Sequence, residues 1–376
     1  MIKKAGALLL ILALMFTGGC WDYRSLSDLT IVIGMSIDRC EVGYDVTYEA
    51  IDISEPIKQS GVKHMLIESR GKTLFDAARN AKKRNDNRLY FGHMQLVILS
   101  RDVAENVDID DIMDWYLRDA ELRETLLFAV SQEATAKELL TVTGEGNPLI
   151  TLELQKIIQS DNASVSSTLF YELYNMYNVT ELGGKTLAMP LLRIVHSEDI
   201  GDIEVNGTAV FNNEHMIGTL SPEESKYLLF VLGKVEGGLL TFPSTDNGED
   251  DSALEISENR TSRSFTVKDG MPVITVKTDT EAFLGEYKRL TGELNREVTG
   301  HLISHAQQTL ARRIGDVIAR VQNEFGGDIF GFGSMISKQD PALWATLKDN
   351  WNETFSSLEV NIECQINIVN TALIKE

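Results

Sequence analysis

Few residues in this chain are placed to do chemistry, and Cys20 is the first of them. Lys3 and Lys4 precede an apolar run, Ala5–Phe16, and Thr17-Gly18-Gly19 lead directly into the thiol. A basic start, a short apolar core and a small-residue exit make a secretory signal. The run is about twelve residues long, short of the roughly twenty that span a bilayer. Thr17 stands where an acylation signal usually carries Leu. Two glycines directly before a cysteine nevertheless suit cleavage ahead of it and acylation of its sulfur. Cys20 is therefore expected to carry lipid; the competing reading is an ordinary signal cut nearby. One acyl chain holds a protein only marginally, so a stable anchor needs two or more.

Other candidates are weaker in kind. His301 and His305 share the i, i+4 spacing of a zinc site, but Leu302-Ile303-Ser304 separate them and the glutamate of the zinc-protease motif is missing. No third ligand is evident, so packed or solvated histidines are expected, with no metal and no cofactor. The carboxylate runs Asp108-Ile109-Asp110-Asp111 and Glu249-Asp250-Asp251 fall at a helix start and in a linker, where they read as solvated charge. No nucleophile elbow, phosphate loop or dinucleotide fingerprint follows a strand. Catalytic residues are expected to be none. Arg79, Lys82, Lys83, Arg84 and Arg88 form the one dense basic patch. It reads either as a docking site for an acidic surface or lipid headgroups, or as cations complementing a helix C-terminus. Asp328–Gly333 alternates Phe330 and Phe332 with glycine, either a turn that buries both rings or a loop that presents them. Cys40 and Cys364 are expected as buried free thiols, one at the end of a strand and one inside another, with a single bridge between them as the alternative.

These residues need elements to hold them. The 43% hydrophobic content of 376 residues supports substantial cores. Charge sets limits on partners: the formal net is −21, and loss of residues 1–19 with Lys3 and Lys4 makes it −23. Such a surface repels nucleic acid and anionic headgroups as a whole. Strands are expected at Thr30–Ile37, Tyr44–Ile53, Leu96–Leu99, Leu126–Ser131, Leu187–Val195 and from Ile203 to Phe211. Further strands are expected at Ala253–Ser257, Ser264–Lys268, Pro272–Thr280 and Leu358–Val369. Helices are expected at Thr73–Arg84, Asp110–Leu117, Leu149–Ile158 and Leu169–Tyr177. Ser221-Pro222-Glu223-Glu224 reads as a capping box opening a helix that stops at Gly233. Gly300–Phe325 is the longest helix, with Ile303, Leu310, Ile314, Val317, Ile318, Val321 and Phe325 on one face. The whole is a multi-domain α+β protein with mixed sheets. Its expected segments are a signal at 1–19, a tether at 20–28 and an α+β domain at 29–197. A small middle domain follows at 198–242, then a linker at 243–252 and an α+β domain at 253–376.

Several short motifs, taken in order, are similar to one family. Cys20-Trp21-Asp22 and Gly34-Met35-Ser36-Ile37-Asp38 open the series. Tyr90-Phe91-Gly92-His93, Gly207-Thr208-Ala209-Val210-Phe211 and Asp328-Ile329-Phe330-Gly331-Phe332-Gly333 follow, with Pro341, Trp344 and Trp351 near the end. The chain resembles the Ger(x)C spore-germination lipoproteins, the C subunits of nutrient germinant receptors. The resemblance implies a three-domain α+β lipoprotein on the outer face of the spore inner membrane. Its implied partners are integral-membrane A and B subunits, and it implies no catalytic residues. Only lipidation transfers to a residue, Cys20. The rival reading is a nutrient-binding lipoprotein that passes a small solute to a transporter. Such proteins repeat βα units around a hinge, and that pattern is not visible here.

Overall fold

The computed structural model describes residues 28–52, 63–118, 121–142, 149–182, 184–197, 200–212, 214–245, 248–287 and 295–370. Cys20, its signal and most of the expected tether lie outside them.

Nine strands make the first sheet: β1 (Leu29–Cys40), β2 (Gly43–Asp52), β3 (Lys63–Gly71), β4 (Arg88–Tyr90), β5 (Leu96–Leu99), β6 (Leu127–Ser131), β7 (Ala188–Ser197), β8 (Ile200–Asn212) and β9 (His215–Leu220). Their order is β3-β2-β1-β5-β6-β7-β8-β9, with β4 beside β1. The centre is parallel and both flanks are antiparallel. Covered parallel strands must be apolar on both faces, and β5 and β6 are buried throughout. Val97, Leu99, Phe128 and Val130 face the main core; Leu96, Ile98, Leu127 and Ala129 face a smaller one.

Helices on the small-core face are held by carboxylates from the first hairpin. Glu49 of β2 is fully buried and accepts the backbone N–H groups of Ile150 and Thr151, each at 2.8 Å. These open the helix Ile150–Ser164, whose own N-cap, Leu149, makes no side-chain cap bond. Asp38 does the same for the helix Lys137–Thr141, accepting from Ala136 at 2.7 Å and Lys137 at 3.2 Å. Gly34 explains part of its motif: any side chain there would overlap Thr151.

The second sheet runs β10 (Gly238–Phe242), β11 (Ser252–Lys268), β12 (Met271–Glu286) and β13 (Glu359–Asn370), in that order. β12 and β13 are parallel, and the helix Arg296–Arg320 lies in the connection between them, packed on β13. It ends in a π-turn, Val321–Phe325, closed by Gly326 in the left-handed region at φ 63°. The helix starts at Arg296, four residues earlier than expected, and its buried face includes Leu302 in place of the expected Ile303, because Leu302 lines up with Ala306, Leu310 and Ile314 at four-residue spacing. Ala253–Ser257 and Ser264–Lys268, expected as two strands, belong to the single strand β11.

Helix Pro222–Leu232 joins the two sheets. Ser221 and Glu224 form the expected capping box, and Gly233 takes the left-handed conformation at φ 66°. The helix touches β8 and β9 on one side and β11, β12 and the long helix on the other. Glu224 pairs with Arg320, and Arg313 reaches both Glu223 at 3.3 Å and Asp250. The segment 198–242 is therefore divided: β8 and β9 complete the first sheet, and β10 begins the second. Residues 243–252, expected as a linker, connect β10 to β11, and Asp251 accepts from the Ser244 N–H and hydroxyl at 2.8 and 2.9 Å.

Candidate functional site

The loop after the long helix forms a buried polar centre. Gly326 turns the chain, and Asp328 follows with its side chain fully buried. The carboxylate accepts the N–H groups of Gly331 and Gly333 at 2.8 Å each and the Trp351 indole N–H at 3.1 Å. Gly331 needs its left-handed φ of 73°, so the glycines serve backbone geometry and close approach. Phe330 and Phe332 stack at 5.3 Å beside Phe355 and are fully buried. The loop therefore buries the rings and presents neither. Trp344 meets Trp351 edge-on at 5.3 Å.

This loop ties distant segments together. Thr186 N–H donates to the Asp328 carbonyl at 3.0 Å, Ser334 N–H to the Gly184 carbonyl at 2.9 Å, and Arg263 of β11 to the Phe330 carbonyl at 2.5 Å. Burial pushes the Asp328 carboxyl up to about 6, against the pull of its three donors. Lys185 lies close by, pushed down to about 8 by burial and by Arg263, with Asp328 opposing. Lys185 and Lys234 both stand over the Tyr171 ring, at 4.8 and 5.1 Å. Burial and Lys185 lower Lys234 as well. Lys185, Arg263 and Lys338 line a cavity of about 390 Å³ with Thr261, Ser334 and Gln339. Lys185 and Asp328 also border a second cavity of about 560 Å³. The arrangement can hold an anion near the cations; its firmest role is to lock two sheets and the closing helices together.

The other residues singled out from sequence lie apart from this centre. His301 is exposed and His305 half-buried on the long helix, and among the described residues no three His, Cys, Asp or Glu side chains form a metal cluster. The carboxylate runs are less free than expected: Asp108 meets His215 at 3.1 Å, and Asp250 pairs with Arg313. Cys40 and Cys364 are free thiols, but both are half-buried and not buried as expected: Cys40 ends β1 and Cys364 lies within β13. The basic residues line one surface around the helix Leu74–Asn80 and the turn after it. Arg88 pairs with Glu121 at 2.6 Å; Arg79, Lys82, Lys83 and Arg84 pair with no carboxylate among the described residues. Sequence reasoning missed Asp328, Lys185 and Arg263 as a group. An acid just ahead of spaced glycines was the available signal for Asp328, whereas the two cations carry none.

No helix among the described residues is long and apolar enough to cross a membrane. A mixed nine-stranded sheet joined through a capped helix to a four-stranded sheet, with a buried acid locking the seam, defines a multi-domain α+β architecture. Family comparison places it. A model described as spore germination protein N-terminal domain matches residues 22–194, and one described as spore germination B3/GerAC like, C-terminal, matches residues 206–372. Spore germination protein B3 of Bacillus subtilis (strain 168) is 24% identical over 360 residues, covering 94% of each chain. Spore germination protein KC of the same organism is 21% identical over 393 residues, covering 98% of this chain and 95% of that protein. The crystal structure of the GerBC protein shares the fold, with a TM-score of 0.59 at 20% identity over 90% of this chain and 97% of that one. The chain belongs to the Ger(x)C family of spore-germination proteins.

Proposed function

We propose that this chain is the lipid-anchored, non-enzymatic C-type subunit of a nutrient germinant receptor. In this reading it lies on the outer face of the spore inner membrane beside integral-membrane A and B subunits. The observation that carries it is the match of both germination family models, in order, across nearly all of residues 22–372. Cys20 supplies the anchor: it follows a signal-like segment and two glycines, and the folded part begins by Leu29. Nine residues extend at most about 30 Å, so the folded part stays next to the bilayer. Anchoring turns a weak encounter with the membrane subunits into a high local concentration. Function then lies in receptor assembly or signalling. The 24% identity of the B3 relative leaves the nutrient unnamed.

Deleting the gene should abolish spore response to a particular nutrient while receptor-independent germination continues. Cys20→Ala should leave a processed protein that separates from the membrane fraction, with the same nutrient response impaired. A processed Cys20→Ala protein that stays with the membrane would show retention by partner contacts and sink the anchor.

A further inference from the structure

The basic patch stands where the chain enters the fold. Leu29, the first residue of β1, pairs in register with Arg88 of β4, and the Asn85 amide donates to the Thr30 hydroxyl at 2.9 Å. The turn carrying Lys82, Lys83 and Arg84 is thereby fixed at the end of the sheet from which residues 20–28 lead back to Cys20. Three features coincide there. Arg79, Lys82, Lys83 and Arg84 are exposed and pair with no carboxylate among the described residues, in a chain whose formal charge is −21. Of the acids nearby, Glu121 is taken by Arg88, Glu68 pairs with Lys137, and Asp76 accepts from the Lys72 N–H and the Asn80 amide. Asp86 remains, and its carbonyl oxygen accepts from Lys82. Third, Phe75 is 55% exposed with the Arg79 guanidinium 4.9 Å over its ring, beside a groove of about 330 Å³ floored by Leu89, Phe91 and Trp115.

We infer that this face, the helix Leu74–Asn80 and the turn through Arg88, rests on anionic phospholipid headgroups and sets the orientation of the anchored protein. The inference builds on the proposed acylation of Cys20. The helix runs on through the 3₁₀ turn Ala81–Lys83, so its C-terminus accounts for Arg79, Lys82 and Lys83, but not for Phe75 exposed beside them. A protein docking face would also accept cations, but the entry point of the tether brings this surface within about 30 Å of the bilayer. The acidic remainder of the molecule does not defeat the contact. At physiological salt the screening length is about 8 Å, so the headgroups feel the patch and little of the far surface. Each cation at an anionic bilayer strengthens binding about fivefold.

The test holds the mature chain, with a hexahistidine tag in place of Cys20, on vesicles bearing the same amount of nickel-chelating lipid. One set is otherwise phosphatidylcholine; the other contains about one third phosphatidylglycerol. Labelling by an amine-reactive ester is read by mass spectrometry and normalised to Lys268 at the β11–β12 turn. Lys82 and Lys83 should label at least about fivefold more slowly on the phosphatidylglycerol vesicles. The difference should vanish at 0.5 M salt and in the double variant Arg79→Glu, Arg84→Glu. Equal labelling on both vesicles, or protection that survives the double variant, overturns the inference. So does protection that appears only when the membrane subunits are present, which would assign the face to a protein. If the double variant does not fold, the lipid and salt comparisons on the unaltered patch decide. The tag retains the chain whether or not Cys20 is acylated in the cell. A missing acyl chain on the native protein would therefore remove the anchor without changing this result.

Discussion

Lys185 shows how a single residue can cost stability in a fold it helps to line. Bringing an ammonium out of water costs several kcal/mol, and a contact over a desolvated ring returns only about 2 kcal/mol. Lys185 has such a contact with Tyr171, and Asp328 helps from a distance, but Arg263 and Lys234 oppose it. Lys185→Met should therefore stabilise the protein at pH 7 by about 1 kcal/mol or more. The pH dependence follows from linkage. Lys185 loses its proton near 8 in the folded chain and near 10.5 when unfolded. Over that interval the unfolded chain binds more protons, so wild-type stability rises with pH and the gap to the variant closes. Urea titrations of both proteins at pH 7 and pH 9.5 check this; a variant less stable at both pH values would show that the ammonium is a net stabiliser. Asp328 runs in the opposite direction, because its carboxyl is held up to about 6 in the folded chain. Its contribution is present below the ordinary carboxylate range and fades as pH rises through about 6. None of this was legible in the sequence. Lys185, Arg263 and Asp328 are far apart in the chain, and the spaced glycines after Asp328 mark a tight turn without marking the burial of its carboxylate or of either cation. Phe330 and Phe332 were legible as a choice between two roles, because alternating glycine requires a tight backbone but leaves the direction of the rings open.

At the scale of elements, what local chemistry encodes was readable and what the partner supplies was not. Ser221-Pro222-Glu223-Glu224 and Gly233 state both ends of their helix, since the cap bonds form within four residues. β3, β4, β9 and β10 were missed. Each is short or polar on one face and owes its strand geometry to a neighbour already in the sheet. The helix Ile150–Ser164 was expected at Leu149–Ile158, but the sequence did not show that its start rests on Glu49 about a hundred residues earlier. Glu49 satisfies two helix-start N–H groups and places negative charge at the positive end of the helix dipole. Glu49→Ala leaves both donors buried without that acceptor and should cost at least about 2 kcal/mol. Glu49→Gln retains one carbonyl oxygen and should cost less. Urea midpoints for the two variants test the order; equal losses would mean that packing around the side chain, and not its acceptors, sets the cost. The Thr151 hydroxyl also donates to Glu49, so Thr151→Val should be less severe than either.

At the scale of the molecule, composition and backbone pairing divide the chain differently. A change of composition marks residues near 197, and the two family models leave the same region between them. Hydrogen bonding nevertheless crosses it: β7 pairs with β8 along nearly its full length, and β8 with β9. Val210 and Phe211 of β8 are buried in the same core as Val97 and Phe128. A cut at Ser197 thus strips two strands from a sheet and leaves β7 as an open apolar edge, the kind of surface that pairs with other chains. A cut after Leu232 keeps those strands and the capped helix that covers β8. Residues 20–197 alone should therefore elute from gel filtration as aggregate, whereas residues 20–232 should yield a larger soluble fraction. Helix Pro222–Leu232 then loses its contacts with β11, β12 and the long helix, so the longer fragment should remain less stable than the whole chain. If the shorter fragment were monomeric and melted cooperatively, the pairing across 197–200 would be a contact between separately folding units. The chain would then bend at that hairpin, and under the proposed anchoring the first unit alone would set its orientation at the membrane.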